Sequence, residues 1–267
     1  MIVFIICLIV VLFLLQTLKD SFTKVNKKIA IVSMMYNPKN IETWIDKHRK
    51  LGISHFYIRL EDTPSIIEYL QSQPDVTLEL GKSSDSNQFF SLMERQIKMV
   101  DTFLPQIKEN YIIHIDSDEI LEGSLDEILY LPDEISTFWM QNHEAVYKSI
   151  PTKNDNCFQA IEYRNCEDTK AGCASYINGK GGSRVYERTG LDGGPHRFRS
   201  NGGKEVKLNN LKVLHYESCD FDQYIDKYSK YQKNSDLTKI PFQYYRDSIT
   251  SHPDNLKEIY TKYRVKK

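Results

Sequence analysis

No excess of one charge runs through this chain: 35 Lys and Arg stand against 36 Asp and Glu, for a net charge of −1 over 267 residues. That balance leaves out the basic footprint of a nucleic-acid binder, so no nucleic-acid partner is expected. No internal repeat and no low-complexity block interrupts the chain, which excludes stacked-repeat architectures. No N-x-S/T acceptor occurs, so nothing marks a domain as exported by glycosylation. Cysteine is sparse, with Cys157, Cys166, Cys173 and Cys219 outside the N-terminal region. That even number suits disulfides in an oxidising compartment and free thiols in a reducing one equally well. Glycine is nearly absent from the first 171 residues, and nine of the twelve fall between Gly172 and Gly203.

One long apolar run is present. The first 15 residues, MIVFIICLIVVLFLL, contain no polar side chain, and Gln16, Thr17 and Leu18 extend the run. A bilayer span takes roughly 20 residues. Residues 1–18 are therefore read as a single-pass transmembrane anchor; a cleaved signal peptide would need a basic start and an A-x-A site, and neither is there. Lys19, Lys24, Lys27 and Lys28 make residues 19–28 a basic stalk. The positive-inside rule would keep that flank cytosolic, whereas a lumenal catalytic domain needs the reverse, so the orientation stays open. Residues 29–267 then form the main domain, within the range of one α/β unit.

That domain alternates in its first half. KIAIVSMMY (28–36), ISHFYIRL (53–60), DVTLEL (75–80) and YIIHI (111–115) are apolar runs of strand length. Between them, Ile41, Trp44, Ile45, His48 and Leu51 recur at helical spacing and stop at Gly52, TPSIIEYLQSQ opens on a helix-start signal, and residues 86–104 carry a long helical pattern. Strand, helix, strand, helix implies a mostly parallel twisted sheet with helices on both faces. LKVLHYES (211–218) adds a late strand. A helix follows, with Phe221, Ile225 and Tyr228 as a packing stripe.

Ligands in such sheets bind off the carboxyl ends of the strands. One of those ends reads HIDSDEI, where Asp116 and Asp118, two apart on an extended backbone, project to one side. They are candidate ligands for a divalent metal. A second D-x-D, Asp220 and Asp222, opens a helix and is read as structural. Glu119 is assigned to the first turn of EGSLDEIL, with a third ligand as the alternative. His114 is read as a core residue. His215, closing the late strand, is a candidate further ligand, and an imidazole beside two carboxylates tilts the choice from Mg²⁺ toward Mn²⁺. The glycine-rich stretch also holds Lys180, Arg184, Arg188, His196, Arg197, Arg199 and Lys204. It reads as loops that approach an anionic ligand and order around it, with a mobile surface excursion as the alternative.

Six pieces in order, YNPKNIETWIDKHRKLGISHFYI, ERQ, YIIHIDSDEIL, INGKGGSRV, GPHRF and VLHYES, resemble GT-A-fold glycosyltransferases, nearest to the family 92 and family 2-like group. The resemblance runs from about residue 29 to 232. It implies that Asp116 and Asp118 coordinate the metal bridging a nucleotide-sugar diphosphate, with His215 as an additional ligand. It further implies that Arg95 and Gln96 face the nucleotide, and that Lys180, Arg184 and His196 lie near diphosphate and acceptor. The chain departs from the pattern at Asn37-Pro38-Lys39-Asn40, where an Asn-Glu pair is usual, and at Glu61-Asp62-Thr63, where Asp-Asn is usual.

The expected activity is metal-dependent transfer of a sugar from a nucleotide sugar, a UDP-sugar first, to a glycan or other hydroxyl acceptor. An inverting reaction needs a group to deprotonate that hydroxyl, and Glu144, Asp192 and His196 are the candidates. A nucleotidyltransferase would share the architecture, but it would want glycines after the first strand, and SMMYNPKN has none. An inactive membrane-anchored binding protein on the same frame is the other alternative.

Overall fold

The computed structural model describes residues 9–14, 27–83, 89–152, 154–165, 177–186, 188–231 and 243–266. The first half contains β1 (Ile29–Tyr36), α1 (Ile41–Leu51), β2 (His55–Glu61), α2 (Ile67–Gln71), β3 (Val76–Gly81), α3 (Phe89–Phe103) and β4 (Tyr111–His114). The second contains β5 (Glu119–Gly123), α4 (Asp126–Leu129), β6 (Ile135–Met140), β7 (Asn142–Val146), β8 (Glu162–Asn165), β9 (Lys180–Arg184), β10 (Lys204–Lys207) and β11 (Leu211–His215). Three helices follow: α5 (Phe221–Tyr231), α6 (Gln243–Thr250) and α7 (Leu256–Arg264).

A seven-stranded sheet has the order β10-β6-β9-β4-β1-β2-β3. Its β4-β1-β2-β3 part is parallel, as the alternation implies, while β9 runs antiparallel between β4 and β6. Successive residues of β1 fall on opposite faces. Ile29, Ile31 and Met35 pack with α1, and Ala30, Val32 and Met34 pack with Met99, Val100 and Phe103 of α3. Both faces are therefore covered, which is why β1 reads as a continuous apolar run.

Helix α1 follows from its stripe: Ile41, Trp44, Ile45 and His48 are buried, and Gly52, at φ 114°, turns the chain off while its N–H meets the His48 and Arg49 carbonyls. The indole of Trp44 donates to the Glu119 carbonyl at 2.7 Å, and His48 Nε2 accepts from the Leu121 N–H at 3.0 Å. These two bonds clamp α1 onto the strand that follows the acidic turn.

A second sheet, β5-β11-β7-β8, lies beyond that turn and was not evident from the sequence. It corrects the assignment of Glu119, which opens β5 rather than a helical turn and is fully buried. The glycine-rich stretch is also corrected in part. Residues 180–184 are not a ligand-approaching loop but β9, inside the large sheet, with Lys180, Gly181, Gly182 and Ser183 buried. Packing explains a strand with two adjacent glycines. A Cβ on Gly182 would sit 2.3 Å from the Phe138 ring and 2.7 Å from the Ile112 carbonyl.

Residues 9–14 are helical, and the rest of the expected anchor (1–18) and most of the stalk lie outside the described residues. No helix among the described residues is long and apolar enough to cross a membrane. A disulfide joins Cys157 to Cys219, 62 residues apart, while Cys166 and Cys173 lie outside the described residues.

Candidate active site

The loops leaving the carboxyl ends of β1, β2 and β11 hold four of the five non-glycine residues with positive φ among the described residues: Asn37 (45°), Asn40 (49°), Asp62 (42°) and Ser218 (55°). Such conformations cost energy and persist where surrounding structure enforces them, often at functional sites. Cross-bonds enforce them here. Asn37 N–H donates to Thr63 Oγ1 at 2.8 Å, Cys157 N–H to Asn40 Oδ1 at 2.9 Å, and Lys39 pairs with Asp220 at 2.9 Å.

The acidic turn sits at this same edge. The strand residues before it are buried, then Asp116, Ser117 and Asp118 become partly exposed. Asp116 takes Gln96 Nε2 on Oδ1 at 2.8 Å and Lys180 Nζ on Oδ2 at 2.5 Å. Its own N–H donates to Glu119 Oε2 at 2.7 Å, and that carboxylate lies 3.4 Å from Lys180 Nζ. Burial disfavours the charge on Lys180, but Asp116 and Glu119 outweigh it and hold the ammonium above the ordinary lysine range. Burial likewise opposes the Asp116 carboxylate, and Lys180 overcomes it, keeping Asp116 well below the usual range. Glu119 goes the other way: burial, against the pull of Lys180, pushes it up to about 7.

Asp118 faces the second sheet. His215 Nε2 lies 3.7 Å from Asp118 Oδ2, and His215 Nδ1 bonds Glu144 Oε1 at 2.9 Å. Register produces this row, since His215 on β11 pairs with Glu119 on β5 and with Glu144 on β7. Burial opposes a charged His215, but Glu144 and Asp118 prevail and raise its pKa to about 10. With Nδ1 held by a carboxylate and Nε2 turned to the acidic turn, His215 has the second-layer support that metal-binding imidazoles use. Two carboxylates and an imidazole suit Mn²⁺ or Mg²⁺, so the donor chemistry fits such an ion. Among the described residues no three His, Cys, Asp or Glu side chains are grouped as a metal site. The close part of the set is the Asp118–His215 pair.

The structure thus brings Gln96, Asp116, Asp118, Lys180 and His215 to one edge, with Arg95 beside them through Glu61, whose oxygens accept Arg95 Nε at 3.0 and 3.2 Å. His196 sits on the turn 191–198, its Nδ1 bonded to the Gly179 carbonyl at 2.9 Å, and burial with Lys180 nearby lowers its pKa to about 3. Asp192 is exposed on the same turn. Glu144 lies behind His215, buried and paired with Arg264, so it supports the imidazole instead of facing an acceptor. Arg184 is not at this edge. It pairs in register with Tyr111 at the opposite end of β4, donates to the carbonyls of Leu131, Pro132 and Ile135, and stacks over the Tyr111 ring. Sequence reasoning missed Glu61 as a contributor, for which a carboxylate closing a parallel strand was the available signal, and gave Glu119 a part in the site only as the alternative to a helical turn. Arg264 gave no local signal.

No family model matches the chain, and no curated protein matches it. Among solved structures, the chain is similar to TarS of S. aureus in complex with UDP-GlcNAc, at 9% identity and a TM-score of 0.39, over 89% of this chain and 73% of that one. It is also similar to glucosyl-3-phosphoglycerate synthase from Mycobacterium tuberculosis in complex with Mn²⁺, UDP and phosphoglyceric acid, at 15% identity and a TM-score of 0.32. That match covers 46% of each chain, so this chain spans about half the synthase's length. HddC from Yersinia pseudotuberculosis matches at 8% identity and a TM-score of 0.32, over 72% of this chain and 79% of that one. At such identities and TM-scores these likenesses assign the chain to no family.

Proposed function

We propose that the chain is a metal-dependent glycosyltransferase of the GT-A type that moves a sugar from a nucleotide sugar, a UDP-sugar first, to a hydroxyl of a glycan or other acceptor. The observation that carries this reading is the Asp118–His215 pair, backed by Glu144 and set beside Asp116 at the carboxyl edge of a parallel sheet. The finer likeness to the family 92 and family 2-like group rests on the order of the sequence motifs.

Breaking an anomeric C–O bond leaves positive charge on the sugar and negative charge on the departing diphosphate. An ion such as Mn²⁺, held by Asp118 and His215 with Asp116, would neutralise that diphosphate as a Lewis acid. The chain's own groups fix the acids in advance. Gln96 and Lys180 hold one oxygen each of Asp116, and Glu144 holds His215. Arg95 and Glu61 close the side toward β2, where the nucleotide would lie. Asp192 and His196, both on the turn 191–198, are the acceptor-side candidates for proton removal, since Glu144 is engaged behind the imidazole.

Association with a membrane through residues 1–18 belongs to the same proposal. Ile9, Val10, Val11, Leu12, Phe13 and Leu14 are each 49% or more exposed, and six consecutive apolar side chains in a helix call for apolar surroundings. The Cys157–Cys219 disulfide favours an oxidising compartment for the domain. Retention in the membrane fraction after alkaline carbonate and protection of the domain from added protease are the expected results; release, or digestion without detergent, would contradict them.

The activity is tested by release of nucleoside diphosphate from a panel of UDP- and GDP-sugars. We expect turnover with Mn²⁺ and none in excess chelator. Pyrophosphate release from nucleoside triphosphates would favour the nucleotidyltransferase instead, and donor binding without turnover on any acceptor would favour a binding protein.

A further inference from the structure

The last turn of α7 carries Arg264, which is fully buried. A guanidinium in that position needs anionic partners to offset its lost hydration, and it has two. One is Glu217, two residues after His215, whose Oε2 takes Arg264 Nη2 at 2.7 Å. The other is Glu144. Its two oxygens are divided: Oε1 accepts His215 Nδ1 at 2.9 Å and Asn142 Nδ2 at 3.2 Å, while Oε2 accepts Arg264 Nη1. Glu217 Oε1 is occupied in turn by Lys227 Nζ at 2.8 Å and Tyr228 Oη at 2.9 Å. Charges alternate from the acidic turn into the helical layer: Asp118, His215, Glu144, Arg264, Glu217, Lys227.

The backbone of Arg264 is fixed as well. Its carbonyl accepts the Tyr147 N–H at 2.8 Å, and the Tyr147 carbonyl accepts the Lys266 N–H at 2.9 Å. Tyr147 directly follows β7, the strand that carries Glu144. The guanidinium and the carboxylate are thus referenced to the same strand, and neither can drift without the other.

We propose that Arg264 is a positioning residue for the candidate site. It fixes the Glu144 carboxylate, which fixes the His215 ring with Nε2 toward Asp118. This rests on the reading that Asp118 and His215 take the metal. A buried arginine that served stability alone would need only Glu217 and the tyrosines around it. The second branch of the guanidinium reaches the same carboxylate that orients the imidazole, and through it helix α7 acts on the acidic turn.

The test uses the full chain and three measurements: thermal midpoint, the His215 Nδ1–H proton resonance in metal-free protein, and Mn²⁺ affinity by electron paramagnetic resonance titration. Arg264→Lys keeps the charge but cannot bridge two carboxylates in the same fork. Glu217→Gln removes the other anchor and leaves Glu144 untouched. Both variants should lower the thermal midpoint. Only Arg264→Lys should shift or broaden the His215 resonance and weaken Mn²⁺ about tenfold, the size of effect that second-layer changes produce. Glu217→Gln should stay within about threefold of the wild type. Arg264→Gln is a second variant, read in the same way if Arg264→Lys does not fold. An unchanged His215 resonance with wild-type Mn²⁺ affinity in the arginine variants would overturn the proposal. Asp118→Asn separates the two ideas. If it leaves Mn²⁺ binding intact the functional reading fails, whereas the His215 resonance still decides for or against Arg264.

Discussion

Asp116 and Asp118 are two residues apart and live in different surroundings. Asp116 belongs to the large sheet, where Lys180 meets its charge at 2.5 Å and Gln96 takes its other oxygen. Asp118 looks toward the small sheet, where its neighbour is an imidazole whose own charge is already met by Glu144. The first carboxylate is built into the scaffold. Both stay partly exposed, but the second meets its neighbour only at 3.7 Å. Removing charge on the Asp116 side should therefore cost stability, and removing it on the Asp118 side should cost function at little structural expense.

The largest expected loss is at Lys180, which is fully buried between two carboxylates. Lys180→Met leaves Asp116 and Glu119 facing each other without a cation, and breaking a buried pair in this way costs about 3 to 5 kcal/mol. Urea denaturation should show it, and a variant as stable as the wild type would mean that the lysine is not built into the scaffold. Next comes Arg184, at the far end of the same strand. Arg184→Ala removes a charged donor from three carbonyls and should cost about 1.5 to 3 kcal/mol while leaving UDP affinity unchanged. Calorimetric titration would check the second half; a tenfold loss of UDP affinity would contradict the separation of the two ends of β9. Gly182→Ala, pressing a methyl against Phe138, should cost about 1 to 3 kcal/mol by overpacking. A neutral result would show that β9 tolerates side chains there. The smallest stability change is expected for Asp118→Asn, within about 0.5 kcal/mol because the side chain is partly exposed and hydrogen-bonding capacity is retained. Sugar-nucleotide turnover should nevertheless disappear.

How far the sequence revealed this arrangement follows the range of the interactions. β1, α1, β2, β3, α3 and β4 each announce themselves through their own period of apolar residues, and the acidic turn through its place after YIIHI. The small sheet does so only at β11, the late strand. β7 (NHEAV) and β8 (EYRN) are five and four residues long and rich in polar side chains; β7 is ordered by pairing with β11 far along the chain, and β8 by pairing with β7. β9, KGGSR, has the composition of a loop, and only the Phe138 ring and the Ile112 carbonyl make two glycines the fitting residues. Reading 180–184 as a loop also placed Arg184 with Lys180. Four residues along a strand span about 13 Å, enough to carry one of them to the other edge of the sheet. The bond from Arg264 to Glu144 crosses 120 residues and leaves no local trace. The position of the acids was legible from sequence; the support behind them was not.

The proposed function unites the acidic turn and His215 in one site for a metal and a nucleotide diphosphate. Calorimetric titration of UDP into the full chain, with Mn²⁺ and with chelator, tests it most directly. We expect Mn²⁺ to tighten UDP binding by tenfold or more, about 1.4 kcal/mol or greater, in the wild type and not in Asp118→Asn. Equal UDP affinity with and without Mn²⁺, or full Mn²⁺ enhancement in Asp118→Asn, would contradict it.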